Sequence, residues 1–454
     1  MLEKFFHLKE NHTNVKTEVM AGITTFMTMA YILAVNPSIL SVAGMDPNGV
    51  MIATALASFI GTILMALLAN YPFALAPGMG LNAYLAYTVC LGMGYSWQLA
   101  LMAVFLEGLI FIVLSLTKVR EAIFNAIPMS LKSAVSVGIG LFVAFIGLQD
   151  AKIIVASSST LVTYQNFHGE PAVTVGAILA LIGVLITAIL LVKKVKGGIL
   201  IGILATWVLG IICELIGIYN PTAESGMPST IPGGIISFDF SALGNTFGAF
   251  LDVDFGSINI GDMLVIMFSF LFVDMFDTIG TLIGVSSKAD MLDENGKLPR
   301  IKPALLSDAI ATSVGAVLGT STTTTYVESA SGVTAGGRTG LTAAVTAVLF
   351  LLAVIFSPLF LAIPSFAIAP ALITVGFYMM GSVVKINFED PSEGIPAFLC
   401  ILAMPLAYSI SEGIVIGVIS WTLINLITGK AKEKKISVLM YVLSILFVLK
   451  YIFL

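Results

Sequence analysis

The sequence predicts an all-α polytopic membrane protein with fourteen transmembrane segments, of which the third and tenth contain short extended pieces. Composition supports this fold class, because 58% of the 454 residues are apolar and only 10% are charged, against about 25% charged in soluble chains. The mean hydropathy is +1.04. Apolar stretches of about 20 residues, the length that crosses a bilayer as a helix, recur along the chain, and basic residues separate them regularly.

The apolar stretches form two sets of seven. The first set covers residues 18–39, 50–69, a broken third segment that continues as a half-helix over 80–91, then 97–117, 132–149, 171–192 and 198–217. The second set covers residues 260–286, 303–318, a broken segment at 321–336, then 340–357, 366–384, 395–410 and 412–428. We expect the apolar stretch 436–454 to lie along the membrane interface instead of forming a fifteenth span.

Basic residues test this count. With the N-terminus in the cytoplasm, each group of Lys and Arg follows an even-numbered span, as the positive-inside rule requires. The groups are Lys118, Arg120 and Lys132; Lys193, Lys194 and Lys196; Lys288, Lys297, Arg300 and Lys302; Arg338; Lys385; and Lys430, Lys432, Lys434 and Lys435. Lys152 breaks the pattern, as Lys450 also would if it lay outside. The sequence therefore predicts a multi-pass protein of the cell membrane with a cytoplasmic N-terminus.

Two short stretches cannot be plain membrane helices, and each is the third span of its half. Residues 71–82 carry two prolines, and residues 319–332 carry a threonine run before Glu328. Lipid does not tolerate unpaired backbone, so such stretches must be buried in protein or line a cavity. Paired interruptions of this kind indicate a transporter's substrate site, and an odd number of spans per half predicts an inverted repeat of seven plus seven.

Two carboxylates lie in the middle of the eighth span. Asp274 and Asp277 are three residues apart and therefore share one helix face. An ionisable residue at that depth is a functional-site hypothesis, and either aspartate could hold a coupling proton; the alternative is that both only fix packing through hydroxyl and backbone partners. The histidines His7, His12 and His168 fall outside the spans, so proton coupling is assigned to carboxylates.

The broken segments supply the other candidate binding residues. Glu328 precedes a predicted half-helix, whose positive end favours an ionised carboxylate. Glu328 is therefore a candidate fixed acceptor for the N–H groups of a ligand; the alternative is that it only caps the helix. Gly80 lets backbone approach a ligand. Asn82 offers both a donor and an acceptor, or acts only as a helix cap. Phe73 and Tyr326 are candidates for stacking on a flat ring.

The remaining polar residues of the spans receive structural interpretations. Glu107 in the fourth span and Asp308 in the ninth are expected to bond across helices to Ser, Thr or backbone, and Glu214 lies near a helix end. The three cysteines lie in separate apolar segments without motif spacing, which predicts neither a disulfide nor a metal site. They are Cys90, Cys213 and Cys400.

At these positions the chain resembles the nucleobase–ascorbate transporter superfamily, also called nucleobase:cation symporter-2. It is most similar to the azaguanine-resistance-type branch of hypoxanthine, guanine and adenine permeases. The resemblance covers nearly the whole length and depends on four motifs in order, which are Gly22–Tyr31, Pro77–Tyr84, Val273–Thr281 and Thr324–Val333.

This resemblance implies a core domain, residues 1–120 and 258–360, and a gate domain, residues 121–257 and 361–430, with a separate C-terminal segment, 431–454. It also implies that a base binds between the domains beside the two extended pieces. The residues implied to hold the base are Asp274 and Glu328, with Asn82 and Gly80 at the third span and Thr278 and Thr325 nearby.

Two positions depart from the uracil and xanthine branches. Thr278 stands where those branches often have a second titratable residue, and Val327 stands where uracil permeases have glycine. Both departures argue against a pyrimidine substrate and leave the coupling residue open among Asp274, Asp277 and Glu328.

The sequence thus predicts a transporter, not an enzyme, that imports purine bases with protons and uses no cofactor or metal. Its expected partners are a purine, a proton and membrane lipid, without nucleic acid, and a homodimer is possible. Sodium coupling, a uracil or xanthine substrate, and an anion transporter of the same architecture are the alternatives, although an anion would require a positive site. An intramembrane aspartyl protease requires aspartates on two facing helices, whereas Asp274 and Asp277 share one.

Overall fold

The computed structural model describes residues 2–116, 127–221, 227–253, 259–288, 291 and 298–453. Helices account for most of these residues. In the first half they are α1 (Leu2–Phe6), α2 (Val15–Met29), α3 (Ile32–Ser41), α4 (Pro47–Leu64), α5 (Met79–Ala83), α6 (Trp97–Leu116), α7 (Met129–Asp150), α8 (Pro171–Val192) and α9 (Gly198–Leu215). In the second half they are α10 (Ile260–Lys288), α11 (Ile301–Leu318), α12 (Ser329–Thr334), α13 (Gly340–Ala353), α14 (Ser357–Leu361), α15 (Ser365–Met380), α16 (Pro391–Leu406), α17 (Ile410–Ile427) and α18 (Val438–Phe453).

Four short strands and several tight helical turns complete the described chain. The strands are β1 (Leu75–Pro77), β2 (Ile154–Ser157), β3 (Leu161–Tyr164) and β4 (Thr323–Thr325). π-helical turns at Met65–Ala69 and Tyr84–Gly92 extend α4 and α5, and 3₁₀ turns lie at Ser241–Asn245, Ala249–Leu251, Val354–Phe356 and Gly381–Lys385. The sequence did not predict the β2–β3 hairpin, which lies in a loop and is largely exposed.

Ten helical stretches among the described residues are long and apolar enough to cross a membrane. In addition, α10 has 29 residues, while α16 is apolar but shorter. The predicted class, a multi-pass helical membrane protein, is therefore confirmed. The basic residues Lys118, Arg120 and Lys297, and the predicted domain boundaries after residues 120 and 257, lie outside the described residues.

Some span boundaries differ from the prediction. The expected first span, 18–39, lies within one apolar helical stretch, Val15–Ser41. Tight i to i+3 bonds from Leu33 and Ala34 divide this stretch into α2 and α3 at Ala30 and Tyr31. The expected span 395–410 begins earlier, at Pro391, where proline is favourable in the first turn of a helix.

The helices pack in two groups. In one group α11 packs against α4 and α6, and α13 packs against α2 and α4. In the other group α15 packs against α7 and α8, and α16 packs against α7 and α17. These two groups contain the helices assigned to the predicted core and gate domains, and that division stays a prediction.

The start of α16 also fixes the C-terminal segment. The Asp390 side chain accepts a hydrogen bond from the Ser392 backbone N–H at 3.0 Å and one from the Lys434 ammonium group at 2.6 Å. The bond from Lys434 holds the pKa of Asp390 well below its usual range. After this link α18 packs along α17. Its position relative to the membrane stays a prediction.

The two extended pieces pair with each other. β1 and β4 are antiparallel, with Leu75 opposite Thr325 and Pro77 opposite Thr323. Backbone bonds from Gly78 N–H to the Thr322 carbonyl and from Tyr326 N–H to the Ala74 carbonyl, both 2.9 Å, continue the pairing. The threonine run favours extended chain, and the pairing satisfies backbone groups that water cannot reach.

A buried carboxylate ties α2 to the start of α13. Glu18 is fully buried and accepts bonds from the backbone N–H of Arg338 at 2.9 Å and of Thr342 at 3.1 Å. The hydroxyl groups of Thr339 and Thr342 donate to the same carboxylate at 2.9 and 2.7 Å. Unpaired donors at a helix start are satisfied in this way.

We expect Glu18→Ala to lower the free energy of unfolding by at least about 2–3 kcal/mol, because several buried donors lose a charged acceptor. Thermal unfolding in detergent measures the change. Glu170→Ala is the control, since that exposed glutamate stands at the start of α8 and makes no side-chain cap bond. Equal melting temperatures for the two variants would contradict this account of Glu18.

Candidate binding site at the crossing of the broken segments

The paired strands β1 (Leu75–Pro77) and β4 (Thr323–Thr325), together called the crossing, bring the two halves of the chain to one place. β1 leads into α5 and β4 leads into α12, each through a single turn. Gly78 eases the close approach, since a Cβ atom there would lie only 3.0 Å from Thr324 Cγ2 and would press on that side chain. α10 lies alongside, with the hydroxyl groups of Thr278 and Thr324 2.8 Å apart.

Glu328 stands at the end of this crossing and is accessible. It occupies the residue before α12, yet its side chain makes no bond to the α12 backbone, which disfavours a role as helix cap alone. The Tyr31 hydroxyl donates to Glu328 Oε1 at 2.7 Å. Glu328 is half-buried, and the preceding Val327 is 52% exposed. Its carboxylate is therefore oriented by the Tyr31 hydroxyl, in a residue that is partly exposed.

Asp277 faces the same region as Glu328. It is half-buried, and it lies within electrostatic range of both Glu328 and Asp274. A Cβ atom on Gly78 would lie 3.7 Å from Asp277 Oδ2, so this aspartate lies at the crossing itself. Tyr378 on α15 also lies within electrostatic range of Glu328, which places α15 near this carboxylate.

Asp274 lies deeper than Asp277. Asp274 and Thr278 are fully buried, and the Thr278 hydroxyl lies 2.9 Å from Asp274 Oδ1 and 2.8 Å from Asp308 Oδ2. The backbone N–H and hydroxyl of Thr325 also donate to Asp308, at 2.9 and 3.1 Å. The structure thus separates the predicted aspartate pair into a partly exposed residue, Asp277, and a fully buried one, Asp274.

Asn82 in α5 is the least satisfied of the predicted residues. It is fully buried, and among the residues that the structure describes neither its amide oxygen nor its amide nitrogen has a hydrogen-bond partner. A buried amide left unpaired costs about 1–3 kcal/mol. Such a group marks a place where a ligand or water completes the bonding.

The other predicted residues have more structural surroundings. Gly80 lets α5 approach α7, because a Cβ atom there would lie 2.7 Å from Ile139 Cγ2. Phe73 is fully buried with its ring stacked on Tyr71, centroids 5.2 Å apart. The Tyr326 hydroxyl donates to the Pro77 carbonyl at 2.5 Å. A ligand could therefore reach the Phe73 ring only after repacking, and both stacking roles stay predictions.

Sequence reasoning missed Tyr31 as a site residue, although it ends the first of the four motifs. The structural interpretations of Glu107, Asp308 and Glu214 agree with the geometry. Glu107 accepts from the Thr322 hydroxyl at 2.9 Å, and Glu214 near the end of α9 accepts from the Thr230 backbone N–H at 2.6 Å.

The fold is shared with a membrane protein of known structure. The transmembrane domain of the cyanobacterial bicarbonate transporter BicA has the same fold, with a TM-score of 0.64 at 16% identity, over 89% of this chain and 97% of that chain. The chain belongs to the family described as "Permease family", whose model matches residues 16–440. It is a permease, not an enzyme.

Relatives identify the branch. The guanine/hypoxanthine permease PbuG of Bacillus subtilis is 47% identical over 100% of both chains. The adenine permease AdeP of Escherichia coli is 41% identical over 100% of this chain and 96% of its own. The resemblance predicted from the four motifs is therefore confirmed.

We expect Asn82→Leu to raise the thermal stability of the ligand-free protein, because an apolar side chain removes an unpaired buried amide. The gain should be about 1–3 kcal/mol, measured by thermal unfolding. Asn36→Leu is the control with the opposite expectation, since Asn36 Nδ2 is bonded to the hydroxyl groups of Thr54 and Thr320 at 2.7 and 2.8 Å. A loss of stability in both variants would show that Asn82 has an unrecognised structural partner.

Proposed function

We propose that this permease imports purine nucleobases by proton symport and prefers hypoxanthine and guanine to adenine. The observation that carries the proposal is the unpaired amide of Asn82 in a crossing that also presents Glu328 and Asp277. A purine has N–H donors and ring acceptors along its edges, so it complements one amide and an ionised carboxylate.

We assign to Glu328 the role of accepting hydrogen bonds from the N–H groups of the base. A carboxylate accepts two parallel bonds from guanine or one from hypoxanthine, and the Tyr31 hydroxyl holds Glu328 in a fixed orientation. We assign to the Asn82 amide the role of donating hydrogen bonds to the ring nitrogen acceptors and the exocyclic oxygen of the base. The close relatives whose names specify guanine, hypoxanthine or adenine support the substrate class.

Between the two aspartates of α10, we assign base contact to Asp277 instead of Asp274. The half-buried Asp277 lies beside Gly78 and Glu328, whereas Asp274 is fully buried and bonded to Thr278. The resemblance implied Asp274 for this role, and the geometry favours its neighbour one turn further along the helix.

Transport would follow from movement of the core group against the gate group. The ten apolar stretches, α10, α16 and the two broken segments would make fourteen spans in an inverted repeat of seven plus seven, with the N-terminus in the cytoplasm. Residues 1–120 and 258–360 would move as the core, and residues 121–257 and 361–430 as the gate, which is the alternating-access scheme of such repeats.

The contacts at the crossing weigh against the alternatives. The hydroxyl groups of Thr322, Thr324 and Thr325, which could have served sodium, lie within hydrogen-bond distance of Glu107, Thr278 and Asp308 respectively. An anion would meet Asp277 and Glu328, both acidic. A purine with a proton fits these residues best.

We expect Glu328→Gln to insert and fold but to lose high-affinity purine binding. The amide places a donor against the N–H groups of the base, at a cost of about 2–4 kcal/mol, or roughly 30- to 1000-fold in affinity. Equilibrium binding of radiolabelled hypoxanthine to purified protein measures this. Glu389→Gln, in an exposed loop, is the control. An affinity for the Glu328 variant close to that of the control would remove Glu328 from the site.

Substrate preference tests the same assignment. An ionised Glu328 accepts the N1–H of a 6-oxopurine, whereas adenine presents a bare N1 acceptor there, and two facing acceptors repel. We therefore expect guanine to displace labelled hypoxanthine more effectively than adenine does, and uracil to compete poorly. If adenine competes best, Glu328 carries a proton when the base binds; strong competition by uracil would overturn the purine assignment.

A further inference from the structure

One hydroxyl group in the core lies between two carboxylates. Thr278 Oγ1 is 2.9 Å from Asp274 Oδ1, 2.8 Å from Asp308 Oδ2 and 2.8 Å from Thr324 Oγ1. All four side chains are fully buried. Three elements meet at this oxygen, since Asp274 and Thr278 lie on α10, Asp308 on α11 and Thr324 on β4.

These three contacts require three hydrogen atoms. A hydroxyl group has one hydrogen to donate and two lone pairs to accept, so Thr278 and Thr324 together supply two. If both carboxylates were ionised, one carboxylate oxygen would face the Thr278 oxygen at hydrogen-bond distance without a hydrogen between them. Two acceptors in that position repel in a dry site. The third hydrogen must therefore come from Asp274 or Asp308.

We propose that Asp274 and Asp308 share a single exchangeable proton across Thr278, and that this pair is the proton site of the transporter. The role in coupling rests on the proposed function, whereas the shared proton follows from the contacts alone. One negative charge is kept on the pair, and the hydrogen titrates as a property of the pair and not of either residue.

The surroundings of the pair are acidic. The carboxyl groups nearest in the chain or on neighbouring elements are Asp277 on α10, Glu107 on α6 and Glu328 before α12. At the two ends of α10, Asp262 lies in the first turn and Lys288 is the last residue. On α7 Lys132 lies in the first turn and Asp150 is the last residue, Lys302 lies in the first turn of α11, and Glu412 lies in the first turn of α17. Among the described residues, no Lys or Arg lies in the middle of these helices, which favours retention of a proton.

The pair is connected to the base site through β4. Asp308 accepts from both the backbone N–H and the hydroxyl of Thr325, and Thr324 contacts Thr278. Loss of the proton would leave Asp274 and Asp308 both ionised, with only the one hydrogen of the Thr278 hydroxyl between them. Because the two carboxylates would repel each other, Asp308 or β4 would have to move. Because β4 leads directly to Tyr326 and Glu328, the proton would set the position of the residues that hold the base.

Infrared difference spectroscopy of base-free protein between neutral and alkaline pH tests the shared proton. Wild-type protein should lose a carboxylic-acid C=O band on alkalinisation. Asp274→Asn and Asp308→Asn should each lack this band, because the amide N–H supplies the third hydrogen and the remaining carboxylate stays ionised. A band that persists in both single variants would place the proton elsewhere and overturn the proposal.

Transport in proteoliposomes tests the coupling. Asp308→Asn should still bind hypoxanthine, because the amide reproduces the protonated bonding, but uptake driven by a pH gradient should be lost. Thr278→Val should also lose gradient-driven uptake and Thr278→Ser should keep it. Thr206→Val is the matched control, since that buried hydroxyl donates only within its own helix, to the Gly202 carbonyl.

The outcomes separate the two proposals. If wild-type protein shows no purine binding, the proposed function fails while the infrared result still decides the shared proton. If purines bind and exchange but Asp308→Asn still accumulates hypoxanthine along a pH gradient, the coupling role of the pair is wrong.

Discussion

The structure depends on the rule that backbone hydrogen-bonding groups cannot remain unpaired where water is excluded. Residues 75–77 and 323–325 leave the helical conformation inside the protein and satisfy each other as a two-stranded ribbon. Because the strands are antiparallel, the short helices α5 and α12 begin at opposite ends of the ribbon, and Gly78 leaves room for the Thr324 side chain. The partly exposed carboxylates and the unpaired amide of the site are consequences of that crossing.

The threonine hydroxyl groups at β4 bond to residues on three different helices. Thr322 is bonded to Glu107 on α6 and Thr325 to Asp308 on α11, while Thr324 contacts Thr278 on α10. Each hydroxyl thus reaches a different helix, so the ribbon cannot shift without changing several buried bonds. In a close-packed interior such an element has few alternative positions.

The sequence predicted the helical membrane class, the position of both interruptions and the family, because apolar length, proline and threonine runs are local signals. It also selected Glu328 and Asn82, which the structure places next to β4 and β1; their role in binding stays a prediction. It could not separate Asp274 from Asp277, because helical spacing places both on one face and only the depth of packing distinguishes them. Tyr31 was missed as a site residue, because its partner Glu328 is 297 residues away and such a contact leaves no local pattern. For Asp308 the sequence predicted bonds across helices to Ser, Thr or backbone, but not that its partner would be Thr278, 30 residues away.

The ribbon also has a consequence for biosynthesis. Tyr326 and its partner Pro77 are 249 residues apart in the chain, and ribosomes add about 5–20 residues per second. The first strand must therefore wait roughly 10–50 s after synthesis before its complement exists. During that interval its carbonyl and amide groups need a temporary partner, which water, the insertion machinery or a neighbouring helix must provide. The first half of this permease is thus not a finished folding unit when it leaves the ribosome, and a truncated chain would carry an unsatisfied strand into the bilayer.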